Sequence, residues 1–209
     1  MKIIVAENSR ANNKSRVSAL DIMQVCPRIW LKADSALLTH GKPMFKPDFA
    51  KELSAAPYLA LRISRMGKSI PARFAHRYYD AVGVAVDFTA EDVLRQLRSE
   101  GEPWDMAKSF DGSVCLGQWL EELGMRSEEL GVNEINLTLL IDGTEQSSLS
   151  ISDLKAEAGE ILEQVSGLFT LRQGDILLMG NPERKPLVEI DNHIEGAING
   201  RLLTKFNVK

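Results

Sequence analysis

Cysteine is nearly absent. Only Cys26 and Cys115 occur in 209 residues, which excludes a disulfide framework and leaves no zinc spacing. Both read as small apolar residues of a reducing compartment. Histidine is as scarce: His40, His76 and His193 are scattered, with no HxxxH or HxH pair to hold a transition metal. Basic clusters are missing too. None exceeds "RMGK" (65–68), and the formal net charge is −4, so nucleic acid is not an expected partner. The longest apolar runs, such as "ILLM" (176–179), fall far short of a membrane span. The amino terminus "MKIIVAENSR" turns polar after its apolar residues and has no secretory h-region. These absences predict a cytoplasmic protein off the membrane.

What is present is ordinary for a globular chain: 44% hydrophobic and 26% charged residues, with no internal repeat or linker. One domain over 1–209 is expected. "KIIVA" (2–6) and "YLALRIS" (58–64) read as strands, and "RIWLKADSALL" (28–38) as a strand start broken by "KADS". Residues 9–25 show no clear period, and the two prolines of "GKPMFKPDF" (41–49) demand an extended loop. "ARFAHRYY" (72–79) reads as a short helix, "EDVLRQLRS" (91–99) as another and 153–167 as a third. Ile135, Leu137, Leu139 and Ile141 alternate into "DG" at 142–143, a hairpin signal. "LRQGDILLMG" (171–180) is a turn into a buried strand, and glycine-punctuated short strands follow to the end. The class is mixed and mainly β, with short helices.

One carboxylate stands out. Asp87 follows the alternating Val82, Val84 and Val86, and Thr89 with Asp92 reads as a capping box opening the next helix. Strand ends of this kind gather ligands in open α/β sheets, yet Asp87 could equally be the residue that turns strand into helix.

Four stretches carry a family pattern: "PRIWLKADSALL" (27–38), "ARFAHRYYDAVGVAVDFTAEDV" (72–93), "PWDMAKSFDGSVCLGQWL" (103–120) and "LRQGDILLMGNP" (171–182). Together they resemble the fumarylacetoacetate hydrolase family, in particular its short bacterial members of the 2-hydroxyhepta-2,4-diene-1,7-dioate isomerase and acylpyruvase type. The resemblance implies mixed sheets rolled around a central β-barrel, usually in a homodimer. It implies hydrolysis, isomerisation or decarboxylation of small β-diketo and 2-oxo acids. It also implies a divalent metal, usually Mg²⁺, held by a Glu-x-Glu pair and an Asp. Such a hard dication polarises the substrate's keto-enol oxygens. A Glu-oriented His activates water, while an Arg and a Lys stabilise developing carboxylate and enolate.

Laid on this sequence, the family's Asp falls on Asp87 and its catalytic Lys on Lys108. The Glu-x-Glu positions fall on Ala56 and Tyr58, the Arg on Glu91 and a following Gln on Leu94. In the amino-terminal "GxNYxxH" pattern Asn8 is kept, with Ser9 and Asn12 replacing Tyr and His; Asn181 replaces the Thr of a late "GTP". The pocket residues expected from this carry-over are therefore Lys108, Asp87, Glu91, Tyr58, Asn8 and Asn181. Asp87 is the sole retained metal ligand, unless a shifted register brings in Asp48 or Glu52. An ion that dehydrates reluctantly is poorly served by one carboxylate and a neutral phenol.

The expectation is no bound cofactor, with Mg²⁺ only if the chain is active. In place of the dication, Lys108 is expected to bridge Asp87 and Glu91. That pocket would carry −1 and repel dianionic oxo acids. The leading reading is a metal-free family member, its ancestral activity lost or altered, acting as a homodimer that binds a small carboxylate, an oxo acid or a partner. The alternatives are an active hydrolase, isomerase or decarboxylase with a rearranged Mg²⁺ site, and a structural subunit for an active paralogue. Elsewhere the expected readings are structural: His76 packed or at the surface, Cys115 inert in the core, Trp104 and Trp119 as core anchors.

Overall fold

The computed structural model describes residues 1–7, 28–38, 41–121, 135–154 and 157–209. Asn8, Ser9, Asn12, Cys26, His40 and the polar stretch 9–25 lie outside the described residues.

Strands dominate, as the alternating patterns require, with few short helices and a large sheet curled into a half-barrel. Its order is β2 (Arg28–Lys32), β1 (Ile3–Glu7), β9 (Ile176–Gly180), β4 (Leu53–Ile63), β5 (Tyr79–Ala90), β6 (Val114–Leu116) and β3 (Leu37–Leu38), with β10 (Leu187–Val188) added on β4. β1 runs parallel to β9, and β3 to β6; the remaining pairs are antiparallel, so the sheet is mixed. A second sheet is ordered β12 (Arg201–Asn207), β11 (His193–Ile198), β7 (Asn136–Ile141), β8 (Thr144–Ser150). The "DG" hairpin joins β7 to β8, with Asp142 at φ 52° and Gly143 at φ 75°, the left-handed pair such a tight turn requires.

Period two sorts the large sheet's side chains into two faces. Ile4, Leu59, Leu61, Val82 and Val84 pack on one side with Leu137 and Leu149 of the second sheet and with Ile161 and Val165 of α3 (Ala158–Leu168). Val5, Trp30, Ala56, Tyr58, Ala85 and Leu178 form the core of the other side. Both faces are buried, which is why β4 and β5 read as near-continuous apolar runs. Pro57 sits within β4 between the stretches paired with β10 and with β9, where the ladder on that side lapses.

Four expectations are corrected. β4 begins at Leu53, before the anticipated 58, because β5 pairs with it continuously from Ala90 back to Tyr79. The helix expected over 72–79 is a 3-10 turn, Ala72–Arg77. The Thr89–Asp92 capping box does not form. Ala90 caps α1 (Glu91–Glu100) without a side-chain bond, because β5 runs through Thr89 and Asp92 accepts instead from the amides of Lys51 and Glu52. The real capping box belongs to α3, where the Glu157 and Glu160 side chains bond reciprocally to backbone. That helix therefore starts at 158 rather than 153. Among the described residues no helix is long and apolar enough to cross a membrane.

Leu61, fully buried between the two sheets, is a sharp probe of this layering. Leu61→Ala should lower the unfolding free energy by about 2–5 kcal/mol in urea titration, through lost transfer energy and the cavity left behind.

Candidate functional site

The register of β4 against β5 sets Ala56 directly opposite Asp87 and Tyr58 opposite Ala85. All four therefore share one face. The neighbouring strands bring Glu7 from β1, and Arg28, Trp30 and Lys32 from β2, to that face by the same alternation. The short helix α2 (Asp105–Lys108) delivers Lys108 from above the end of β5.

Asp87 is 2% exposed, and the ammonium of Lys32, fully buried, lies 2.6 Å from its Oδ1. At that distance the two groups form a buried ion pair. Lys32 also donates to the Lys108 carbonyl, to Ser113 Oγ at 3.1 Å and to Ser113 O at 3.4 Å. Burial pulls the Lys32 ammonium below the usual lysine range, and the Asp87 charge opposes that pull. Lys108 does not take up the expected bridge to Asp87. Its Nζ donates to Thr89 Oγ1 at 3.2 Å and lies 4.6 Å from the Trp30 ring centre, because Lys32 already occupies the carboxylate.

Tyr58 is fully buried and donates to Glu7 Oε1 at 3.3 Å. Burial, then the charges of Glu7 and Asp87, push its phenol well above its ordinary range, so it stays a neutral donor. Glu7 in turn accepts Lys185 at 2.5 Å and Arg28 at 3.0 Å. Burial raises its carboxyl, but Lys185, Arg28 and Lys108 more than offset this and hold it below the usual range.

Glu91 turns away from Asp87, its carboxylate accepting from Ser54 Oγ at 2.6 Å. The predicted charge of −1 is not what the described residues give: among them Asp87 and Glu7 face Lys32, Lys108, Lys185 and Arg28, two negative groups against four positive. With Glu91 counted as well, the balance is still positive. Asn181 directly follows Gly180, the residue paired with Glu7 across β1 and β9. No register shift rescues a metal set: Glu52 is spent on Arg95 at 2.9 Å and Asp48 is exposed. His76 is exposed, and His193 contacts Asn207 and Glu195 on the second sheet. Cys115 is buried, its thiol pushed up to about 12 by burial.

The donors present do not suit a hard dication. Ala56 offers none, Tyr58 offers a neutral phenol, and both carboxylates are already neutralised by cations. Among the described residues no group of three or more His, Cys, Asp or Glu could hold a metal ion. Sequence reasoning missed Lys32 and Glu7. The signal for Lys32 was a charged residue two positions from Trp30, on the inward side of a short apolar strand.

The sequence matches the family profile described as Fumarylacetoacetate (FAA) hydrolase C-terminal over residues 3–205. It is 28% identical to the mitochondrial oxaloacetate tautomerase fahd-1 of Caenorhabditis elegans, over 88% of this chain and 84% of that protein. It is 26% identical to the mitochondrial oxaloacetate tautomerase FAHD1 of Mus musculus, over 88% and 81%. The fold superposes on 5-carboxymethyl-2-hydroxymuconate delta-isomerase from Mycobacterium smegmatis with a TM-score of 0.84 and 25% identity, over 99% of this chain and 78% of that one. It superposes on fumarylpyruvate hydrolase from Pseudomonas aeruginosa, in complex with Mn²⁺ and pyruvate, with a TM-score of 0.83 and 22% identity, over 100% and 89%.

Removing one member of the central pair should be far costlier than removing both. Lys32→Met, which strands a buried carboxylate, should lose about 3–5 kcal/mol of stability, and the Lys32→Met/Asp87→Leu double variant should recover most of it. Urea denaturation of the four proteins of this cycle measures the difference.

Proposed function

The chain belongs to the fumarylacetoacetate hydrolase family, and from that premise we propose that it is a metal-independent member that binds small carboxylate or oxo-acid anions. Lys32 supplies at Asp87 the positive charge that the family's dication supplies elsewhere. The observation that carries the reading is the 2.6 Å contact between Lys32 Nζ and Asp87, opposite an alanine and beside a neutral phenol. An ammonium satisfies one buried carboxylate, as a dication on three carboxylates would satisfy its own set. It offers no vacant coordination position, so Lewis-acid hydrolysis has no place to occur. The surplus of cations supports an anionic ligand, and the relatives' names point to the class: oxaloacetate for the tautomerases, pyruvate in the hydrolase complex.

Dimerisation belongs to the same proposal. Phe45, Phe49, Leu187 and Ile190 are exposed apolar side chains near the ends of β4 and β12, the kind of surface a second copy covers. Light scattering in dilute solution should return twice the chain mass.

Calorimetric titration with Mg²⁺ and Mn²⁺ should show no micromolar binding. Chelator treatment should leave binding of pyruvate and oxaloacetate unchanged. Micromolar metal affinity together with metal-dependent turnover of acylpyruvates or oxaloacetate would overturn this reading in favour of an active enzyme with a rearranged site.

A further inference from the structure

Two buried groups at the site are left unexplained by anion binding alone. Lys108 is 4% exposed, yet among the described residues no carboxylate lies in ion-pair contact with its Nζ, whose partners there are the Thr89 hydroxyl and the face of Trp30. Lysine is almost never buried unless paired. The second group is the indole N–H of Trp30, buried with no hydrogen-bond acceptor among the described residues; Trp30 itself is 7% exposed. A buried orphan donor is costly and marks a place where an acceptor from outside the chain fits. The indole that carries it is the one Lys108 stands over, 4.6 Å from the ring centre.

We propose that Lys108 is a nucleophilic amine that forms an imine with small 2-oxo or 3-oxo carboxylic acids, and that the indole N–H of Trp30 hydrogen-bonds the bound acid's carboxylate. This rests on the metal-independent reading, since it is Lys32 that neutralises Asp87 and thereby leaves Lys108 without a counter-ion. A desolvated lysine among other cations is the environment that makes an amine nucleophilic near neutral pH. Burial acts first here. Lys185 and Lys32 push the Lys108 ammonium in the same downward direction, Asp87 and Glu7 oppose them, and the balance lies below the ordinary lysine range.

The step balances without an oxidant or reductant. The neutral Nζ attacks the carbonyl carbon, the new C–N bond forms, and the C=O π pair moves to oxygen. One proton passes from nitrogen to that oxygen, giving the carbinolamine. Uptake of a second proton lets the C–O bond break and water leave. The iminium that remains carries the single positive charge the Lys108 ammonium had. It is an electron sink for a neighbouring C–H or C–carboxylate bond, which is the service a metal on a keto oxygen otherwise performs.

The test is reductive trapping. The full chain, stripped with chelator, is incubated with pyruvate and then with sodium borohydride, and the adduct is located by peptide mass mapping. The expected result is a reduced pyruvyl adduct on Lys108 in the wild type and its loss in Lys108→Arg. Trp30→Phe should still form the adduct but require roughly tenfold more pyruvate for half-trapping, the worth of one buried hydrogen bond. No adduct, or adducts spread over exposed lysines with Lys108 unmodified, overturns the proposal. Mapping on the wild type decides this even if a variant fails to fold. The metal titration separates the two failures: a chain that binds neither Mg²⁺ nor pyruvate covalently sinks the imine alone. Micromolar Mg²⁺ binding sinks the metal-independent reading, and with it the stated reason for Lys108 being unpaired.

Discussion

A carboxylate and an ammonium taken out of water together cost several kcal/mol each, and only close contact with further hydrogen bonds recovers it. Lys32 and Asp87 meet that condition. The ammonium is fixed by Asp87, by the Lys108 carbonyl and by both oxygens of Ser113. Those contacts tie together four pieces of chain: β2 at one edge of the large sheet, β5 near its centre, the short helix α2, and the turn into β6. The curl of the half-barrel is what lets an edge strand reach a central one. In this sense the pair is a constraint on the fold as much as a feature of the site.

Much else at the site follows from it. With Asp87 satisfied, Lys108 is released from ion pairing and rests on Thr89 and Trp30. Ala56 stands opposite Asp87 and offers no oxygen ligand, and the Tyr58 hydroxyl finds Glu7. Glu7 then needs its own cations, and Lys185 and Arg28 provide them. The outcome is a set of paired charges with a positive surplus. Lys108, which donates to Thr89, stands over the ring of Trp30, whose indole N–H has no acceptor among the described residues.

Much of the fold was legible in the residues. Alternation in β4, β5 and β7, the "DG" turn and the apolar period of α3 each come from local physics that acts within a few residues. Errors fell where a distant segment competed for the same groups. Asp92 looked like a capping residue but met the amides of Lys51 and Glu52, which arrive from β4's approach. The segment 72–77 had helix formers but closed only a 3-10 turn, hydrogen-bonding onward to Tyr78 before β5 began. At the site, the family resemblance brought Asp87, Tyr58 and Lys108 together; strand register carries the first two, and the short helix α2 brings Lys108. Sequence reasoning missed Lys32, because nothing within β2 says which strand lies across the curl.

Residue identity alone determined that positions 56 and 58 carry no carboxylate and that position 91 is acidic. No arrangement of alanine supplies a metal ligand. It also determined that Asp87 would be buried at the end of an apolar strand and would need a positive partner. Which partner was a tertiary decision. Lys32 and Lys108 are 76 residues apart, and either has the charge and reach. Coulomb attraction is strong at contact and weak a few ångströms further away, so the strand order and curl that bring Lys32 to 2.6 Å settle the matter.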